Sequence, residues 1–428
     1  MPRTFLIASV VGLVLVLNAR RATRFQLVVV PAFFASWLVT ELAPQLLLLH
    51  LVGVAAFVIA GGAAAWPGWI ALAICALIAV QLLGFVRESR RVERRFDDVM
   101  SAAIGADPDP RTVAWREYAF PFKLWNRKLR RERDIPYTAP GTRRFRLDVW
   151  HNGESGTNRP CLLYVPGGAW IAGVSNKNHQ AKPLLMEMAS RGWVCFSMNY
   201  PLAPRSKFPA HIIAVKRAIA WVKENAHTYG GDPNFIMISG NSAGGHLSSL
   251  AALTANDPDF QPGFEDSDTT VQAAAPFYGV YDWTGAQLGE LKRASRTHKK
   301  GMLRFLQITV AGRRLSKERT FFEKASPWFR VNADAPPFLV IHGAHDTLAL
   351  VEEARGFVAR LRDVSHEPVI YVELPGTQHA FDHFLSIRAL YAVRAISRFG
   401  AWAHDHYVSG ARPAPPSDQE LRSPTSQS

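Results

Sequence analysis

The sequence predicts an α/β protein, a mostly parallel sheet with helices on both faces, carried behind an N-terminal transmembrane helical region. Two patterns lead there. From Phe5 to Val86 the chain is almost wholly apolar, with charges only at Arg20, Arg21, Arg24 and Glu41. From about residue 143 onward, short apolar runs alternate with helix-period stretches, as a parallel sheet with crossover helices requires. A chain of 428 residues accommodates one large α/β domain plus the apolar addition, and not two full enzymatic domains.

In the N-terminal region, a bilayer-spanning helix needs about 20 apolar residues. Segments near 25–43, 46–65 and 68–86 meet that length, punctuated by Pro44 and Pro67, whereas Phe5 to Leu17 is short for a span. Three spans are expected, or four if the first segment also crosses. The apolar character resumes beyond Arg20-Arg21, unlike a cleavable signal peptide, so the region is read as a retained multi-pass membrane segment. Arg20, Arg21 and Arg24 on one flank and Arg87, Arg90, Arg91, Arg94 and Arg95 on the other both favour the cytoplasm. Spans over 25–43, 46–65 and 68–86 put those flanks on opposite sides, so the orientation stays open. The expected organisation is a transmembrane region over 1–86, a basic linker with cap helices over 87–142, a catalytic domain over 143–408 with a cap insertion at 284–320, and a tail over 409–428. The tail is rich in Pro, Ser and Arg and poor in large apolar residues, the composition of a disordered segment.

The formal charge of +14 raises the question of nucleic acid, yet the basic residues cluster beside the apolar region and in 292–319, with no nucleic-acid motif among them. A basic rim suits an anionic bilayer surface or anionic lipid substrates, or is a plain solvated face. Cys75, Cys161 and Cys195 fall in apolar runs and imply no disulfide framework.

In the soluble part, Phe145–Trp150, Cys161–Val165, Val194–Met198, Phe235–Ile238, Val271–Phe277, Phe338–Ile341 and Val369–Glu373 read as strands. Helices are expected over Pro209–Asn225, Gly244–Thr254 and Leu350–Asp363. In such sheets, sites form at the carboxyl ends of strands. Gly240-Asn241-Ser242-Ala243-Gly244-Gly245 follows one of these strands and opens a helix. A strand, a sharp glycine-flanked turn and a helix expose a serine hydroxyl as a nucleophile, which makes Ser242 the candidate. A serine needs a histidine as base, and the histidine needs a carboxylate to orient it. Asp346 follows the strand Phe338–Ile341 and His379 follows the strand Val369–Glu373, both in loops at carboxyl ends. Among rival histidines, His246 points down the helix, His342 suits packing, His345 lies on the wrong side of its backbone and His383 is the nearest competitor. An oxyanion needs preorganised N–H donors. Gly167, Gly168 and Ala169, after the strand ending at Val165, form the candidate loop, with the amides of Gly168, Ala169 and Ala243 as donors.

Together these motifs resemble the hormone-sensitive-lipase-like carboxylesterases of the α/β-hydrolase superfamily over roughly residues 140–400. Asn199-Tyr200-Pro201-Leu202-Ala203-Pro204, Phe208-Pro209-Ala210 and Gly230-Gly231-Asp232-Pro233 look like further segments of that family. The family's usual His-Gly-Gly-Gly is Pro166-Gly167-Gly168-Ala169 here, and its common Asp before the nucleophile is Asn241. The apolar N-terminal region is similar to that of membrane-anchored carboxylesterases of actinobacterial cell envelopes. The resemblance implies an α/β-hydrolase fold with a partial helical cap, formed here near 87–140 and 284–320. It implies hydrolysis of short- to medium-chain acyl esters through an acyl-serine, on a small apolar ester or lipid substrate, with no metal or organic cofactor. Trp115, Trp125, Trp170 and Trp283 are candidates for lining the acyl pocket. The same acyl-serine could pass its acyl group to an envelope lipid or sugar, and a non-catalytic scaffold is the remaining alternative.

Overall fold

The computed structural model describes residues 1–21, 29–138, 145–154, 156–178 and 180–410. Arg24, the start of the segment expected at 25–43 and most of the tail lie outside them. Eight strands form one sheet: β1 Arg130–Pro136, β2 Arg146–His151, β3 Arg159–Val165, β4 Val194–Met198, β5 Gly231–Asn241, β6 Ala273–Phe277, β7 Phe338–Gly343 and β8 Val369–Leu374. Their order is β1-β2-β4-β3-β5-β6-β7-β8. The pairs β1/β2 and β2/β4 are antiparallel, and every later neighbour is parallel. The parallel strands are buried on both faces, which is why they read as continuous apolar runs. The sequence reading missed β1, a charged edge strand whose side chains mostly face solvent.

Two apolar cores lie on the two faces of the sheet. One takes side chains from the helices Ala210–Asn225, Ala243–Leu253 and Val351–Arg362. The other is covered by the helices Lys182–Ser190 and Ile387–Ser409 and by Val92, Phe96 and Met100. Those three residues recur at the four-residue spacing that lines one helix face, and they belong to the last helix of the apolar region.

That region contains α1 Pro2–Arg20, α2 Val29–Glu41, α3 Ala43–Ile59 and α4 Trp66–Ile104. By length and composition α1 and α4 are apolar enough to cross a membrane, and the pair α2 and α3, bent by 87° at Leu42, brings the number to three if counted as one. The helix boundaries differ from the expected segments. The segment judged short is a 19-residue helix, because Arg20 is accommodated: its Nε donates to Gln81 Oε1 at 2.9 Å and its guanidinium pairs with Glu88, both on α4. The segment expected at 25–43 contains the 13-residue α2, too short to span. The third segment does not stop at 86 but continues as one 39-residue helix into the basic stretch.

Packing contacts fix the relative directions. Phe5 packs with Ala71 and Cys75, Val16 and Ala19 with Leu82 and Phe85, and Arg20 with Gln81 and Glu88, so α1 and α4 run parallel. Ala43 lies at the Phe85 end of α4 and Phe57 at the Phe5 end, so α3 runs antiparallel to both. Arg20 and Arg21 consequently sit at the same end of the bundle as the arginines that follow Val86.

A fully buried ion pair joins this bundle to the sheet domain. Arg388 Nη1 donates to Glu41 Oε1 and to the Thr40 carbonyl, each at 3.1 Å, and Ser386 Oγ donates to Glu41 Oε2 at 2.7 Å. Removing one partner of a buried pair strands the other charge, at a cost of about 3–5 kcal/mol. Arg388→Met is expected to lower the denaturation midpoint of the detergent-solubilised protein accordingly. The double variant Glu41→Leu/Arg388→Met should recover most of the loss, since no charge remains buried.

Candidate active site

At the carboxyl end of β5 the backbone turns within one residue. Ser242 has φ 54° and ψ −118°, outside the regions a non-glycine residue prefers, and Ala243 begins a helix immediately. Its amide donates to the Phe277 carbonyl at 3.0 Å and its own carbonyl accepts from His246 N at 2.9 Å, which holds the turn between β6 and the new helix. Glycine is required because the backbones touch. A Cβ on Gly244 would stand 2.0 Å from the Val165 carbonyl oxygen, and one on Gly240 would stand 2.5 Å from the Gly244 carbonyl oxygen.

Asp346 and His379, on loops after β7 and β8, are brought together. His379 Nδ1 lies 2.6 Å from Asp346 Oδ2, with the carboxylate fully buried and the imidazole nearly so. Asp346 Oδ1 accepts the amides of Leu348 and Ala349, each at 2.8 Å. His342 Nε2 stands 3.3 Å from Asp346 Oδ2. Burial alone raises the Asp346 carboxyl, but the charge of His379 and hydrogen bonds from His342 and His379 outweigh it and hold the group well below the usual carboxylate range. Gln378 ties the two loops, its Oε1 accepting Thr347 N at 2.8 Å and His379 N at 3.0 Å. The Tyr278 ring, 4.4 Å from the His379 ring between centroids, packs against one side of it. With Nδ1 engaged by Asp346, Nε2 is the nitrogen left to receive a proton from a hydroxyl.

Gly168, Ala169 and Trp170 follow one another at φ 111°, 52° and 58°, a run of left-handed backbone that turns the loop after β3. The Gly167 amide is already shared between Gln180 Oε1 and Asn241 Oδ1, both at 2.7 Å. Gly167 therefore supports the loop and has no N–H to give to an oxyanion. No described residue accepts from the amides of Gly168, Ala169 or Ala243. Pro166, where the family has histidine, has its carbonyl held by Tyr200 OH at 2.8 Å. Asn241 Nδ2 reaches Tyr278 OH at 3.2 Å, and that hydroxyl donates to Asp382, so the loop, the turn and the histidine segment share one buried network.

Each rival histidine has partners or surroundings of its own. His246 is buried, stacked on Trp283 at 4.7 Å and bonded to the Ala325 carbonyl, and burial lowers its pKa to about 3. His342 bonds the Ala349 carbonyl, His345 lies half-buried toward the N-terminal bundle, and His383 pairs with Asp382 at 3.4 Å. Trp170 and Trp283 are core residues packed edge to face, while Trp115 and Trp125 are exposed, so the four tryptophans do not form a common pocket. The stretch 292–319 is not simply a charged rim, because Lys299 is buried against Glu353 at 2.6 Å. Sequence reasoning missed Gln180, Gln378 and Tyr278, which carry no motif. It also missed Phe33 of α2, whose ring meets that of His379 at 6.3 Å.

A mostly parallel sheet with this turn and these loops defines an α/β-hydrolase. A family model described as BD-FAE matches residues 147–361. The probable carboxylic ester hydrolase LipM of Mycobacterium tuberculosis is 44% identical over 80% of this chain and 80% of its own length. Esterase LipQ of the same organism is 47% identical over 62% of this chain and 61% of its own length. A butyrate-bound esterase from Thermogutta terrifontis has the same fold, with a TM-score of 0.52 at 21% identity over 66% of this chain and 95% of that one. The chain belongs to the hormone-sensitive-lipase-like carboxylic ester hydrolases, and it is an enzyme acting on carboxylic ester bonds.

Because the folded Asp346 value is depressed, its stabilising contribution is complete above the ordinary aspartate pKa of about 3.9 and is lost as pH falls toward the folded value. The difference in thermal midpoint between wild type and Asp346→Asn should therefore be flat above about pH 5 and shrink below about pH 4. A difference that shrinks between pH 7 and 5 would contradict this.

Proposed function

We propose that the protein is a membrane-anchored serine carboxylesterase in which Ser242 is the nucleophile, His379 the base and Asp346 the carboxylate that orients it. The observation that carries this reading is the 2.6 Å bond between His379 Nδ1 and Asp346 Oδ2, taken with the strained turn that holds Ser242. Ser242 attacks the ester carbonyl as His379 Nε2 takes its proton, and Asp346 stabilises the imidazolium. Negative charge develops on the carbonyl oxygen, where the amides of Gly168, Ala169 and Ala243 donate to it. His379 then protonates the departing alcohol, leaving an acyl-serine that water hydrolyses by the same proton transfers in reverse. The expected substrates are small apolar esters or lipids.

In the proposed arrangement α1, α3 and α4 cross the bilayer and α2 lies at one interface. With α1 and α4 parallel, Arg20, Arg21, Arg87, Arg90, Arg91, Arg94 and Arg95 all fall on one side. The positive-inside rule makes that side cytoplasmic, and the sheet domain follows from it. Trp66 and Trp69, exposed at the opposite end of α4, suit the other interface.

Ser242→Ala should reduce p-nitrophenyl butyrate hydrolysis by about four to six orders of magnitude while expression is kept, since nucleophile, base and carboxylate act as a unit. Residual turnover near wild type would remove Ser242 from the mechanism. For the topology, a cysteine introduced at exposed Asp266 should resist membrane-impermeant maleimide in intact cells and react after lysis. Labelling in intact cells would reverse the orientation.

A further inference from the structure

Helix α2 lies between the apolar bundle and the loop that carries His379. One side of it faces that loop: Phe33 meets the His379 ring edge-on and Trp37 Nε1 donates to the Ala380 carbonyl at 2.9 Å, across 343 positions of sequence. The adjoining stripe, Val30, Phe34 and Leu38, is exposed at the same four-residue spacing. His379 is thus separated from the outer face of the apolar bundle by a single helix.

From His379 a line of aromatic rings leads outward. Phe33 stacks on Trp37 at 5.9 Å, Trp37 meets Phe384 at 5.1 Å, and Phe384 meets Phe122 at 5.5 Å. Phe122 opens onto a cavity of about 480 Å³ lined by Ala119, Phe120, Pro121, Phe122, Lys123 and Trp125. That volume lies within the range of small-molecule sites, about 300–1,000 Å³. Phe120, Phe122 and Trp125 are 70%, 63% and 59% exposed, which is costly in water and natural at a membrane interface, where aromatic side chains collect. The loop is fixed to the bundle and to the histidine segment, with Gln45 Nε2 bonded to the Tyr118 carbonyl at 2.5 Å and Leu385 N to the Pro121 carbonyl at 2.9 Å.

We propose that this aromatic line is the acyl-binding route and that the substrate is an acyl ester resident in the bilayer, its chain held along Phe122, Phe384, Trp37 and Phe33 with the ester bond at Ser242. The assignment rests on the membrane-anchored esterase reading and adds the substrate class and the residues that select it. Apolar occupancy follows from the lining, since beyond the Trp37 indole N–H, already bonded, the four side chains offer carbon surface alone. A butyryl chain would leave most of this aromatic line unoccupied, whereas a palmitoyl chain would cover more of it, so chain-length preference reads the route.

The test is the ratio of kcat/KM for p-nitrophenyl palmitate to that for p-nitrophenyl butyrate, measured on the full-length protein in detergent for wild type, Phe33→Ala and Phe122→Ala. Removing a ring from an apolar pocket should lower the ratio about tenfold in each variant. Phe122 is exposed, so its replacement tests the route without disturbing the core. Phe33→Leu serves in place of Phe33→Ala if the latter fails to label with a fluorophosphonate. An unchanged ratio in Phe122→Ala overturns the route even if Phe33→Ala alters it, and equal losses on both esters reduce these residues to structural supports and overturn it too. A wild type that labels and turns over butyrate with an unaltered ratio in the variants rejects the route alone, whereas a folded wild type that hydrolyses neither ester rejects the esterase reading beneath it.

Discussion

The site depends on the chain reversing direction at a single residue, Ser242, which its neighbours hold at φ 54°. Strain of this kind, typically about 1–3 kcal/mol, persists only where surrounding structure over-determines it. Here the constraint comes from backbone packed on backbone. The helix after Ser242 starts so close to β3 that Gly244 leaves no room for a Cβ beside Val165, and the Ser242 amide is tied to β6. The same closeness lets Asn241, one residue earlier, reach the Gly167 amide, so the turn and the glycine loop are set by one another.

The apolar N-terminal region is built into the sheet domain and does not hang from it. Helix α4 runs unbroken from its apolar half to Val92, Phe96 and Met100, which belong to one of the two sheet cores. Glu41 and Arg388 form a second joint, buried where an unpaired charge would be very unfavourable. Because Ser386 and Arg388 follow the His379 loop in the chain, this joint also anchors the segment that carries the candidate base. A catalytic domain expressed without residues before Arg130 would lack part of its own core.

Much of this was legible in the sequence, and the failures have physical causes. The parallel strands were readable because burial on both faces makes them continuously apolar, and the order of Ser242, Asp346 and His379 after β5, β7 and β8 followed from that sheet. Strand β1 was not readable, since Arg130-Arg131-Glu132-Arg133-Asp134 pairs through its backbone at an edge and needs no apolar side chains. The extent of α1 was underestimated because Arg20 reads as a terminator unless Glu88 and Gln81, far along the chain, are known to stand beside it. For α2 the difficulty is deeper: Phe33 and Trp37 are apolar whether they face lipid or protein, so no periodicity distinguishes a spanning segment from one lying over His379. Gln180 and Gln378 act through side-chain hydrogen bonds to the loops and leave no pattern at all.

The identity of the nucleophile is the point on which the chemical account turns, and a covalent adduct reads it without reference to rates. After reaction of the full-length protein with a fluorophosphonate, proteolysis and mass spectrometry should locate the phosphonyl group at one site, Ser242. An adduct at Ser239, Ser248 or Ser249, the other serines of that strand and helix, would contradict the account.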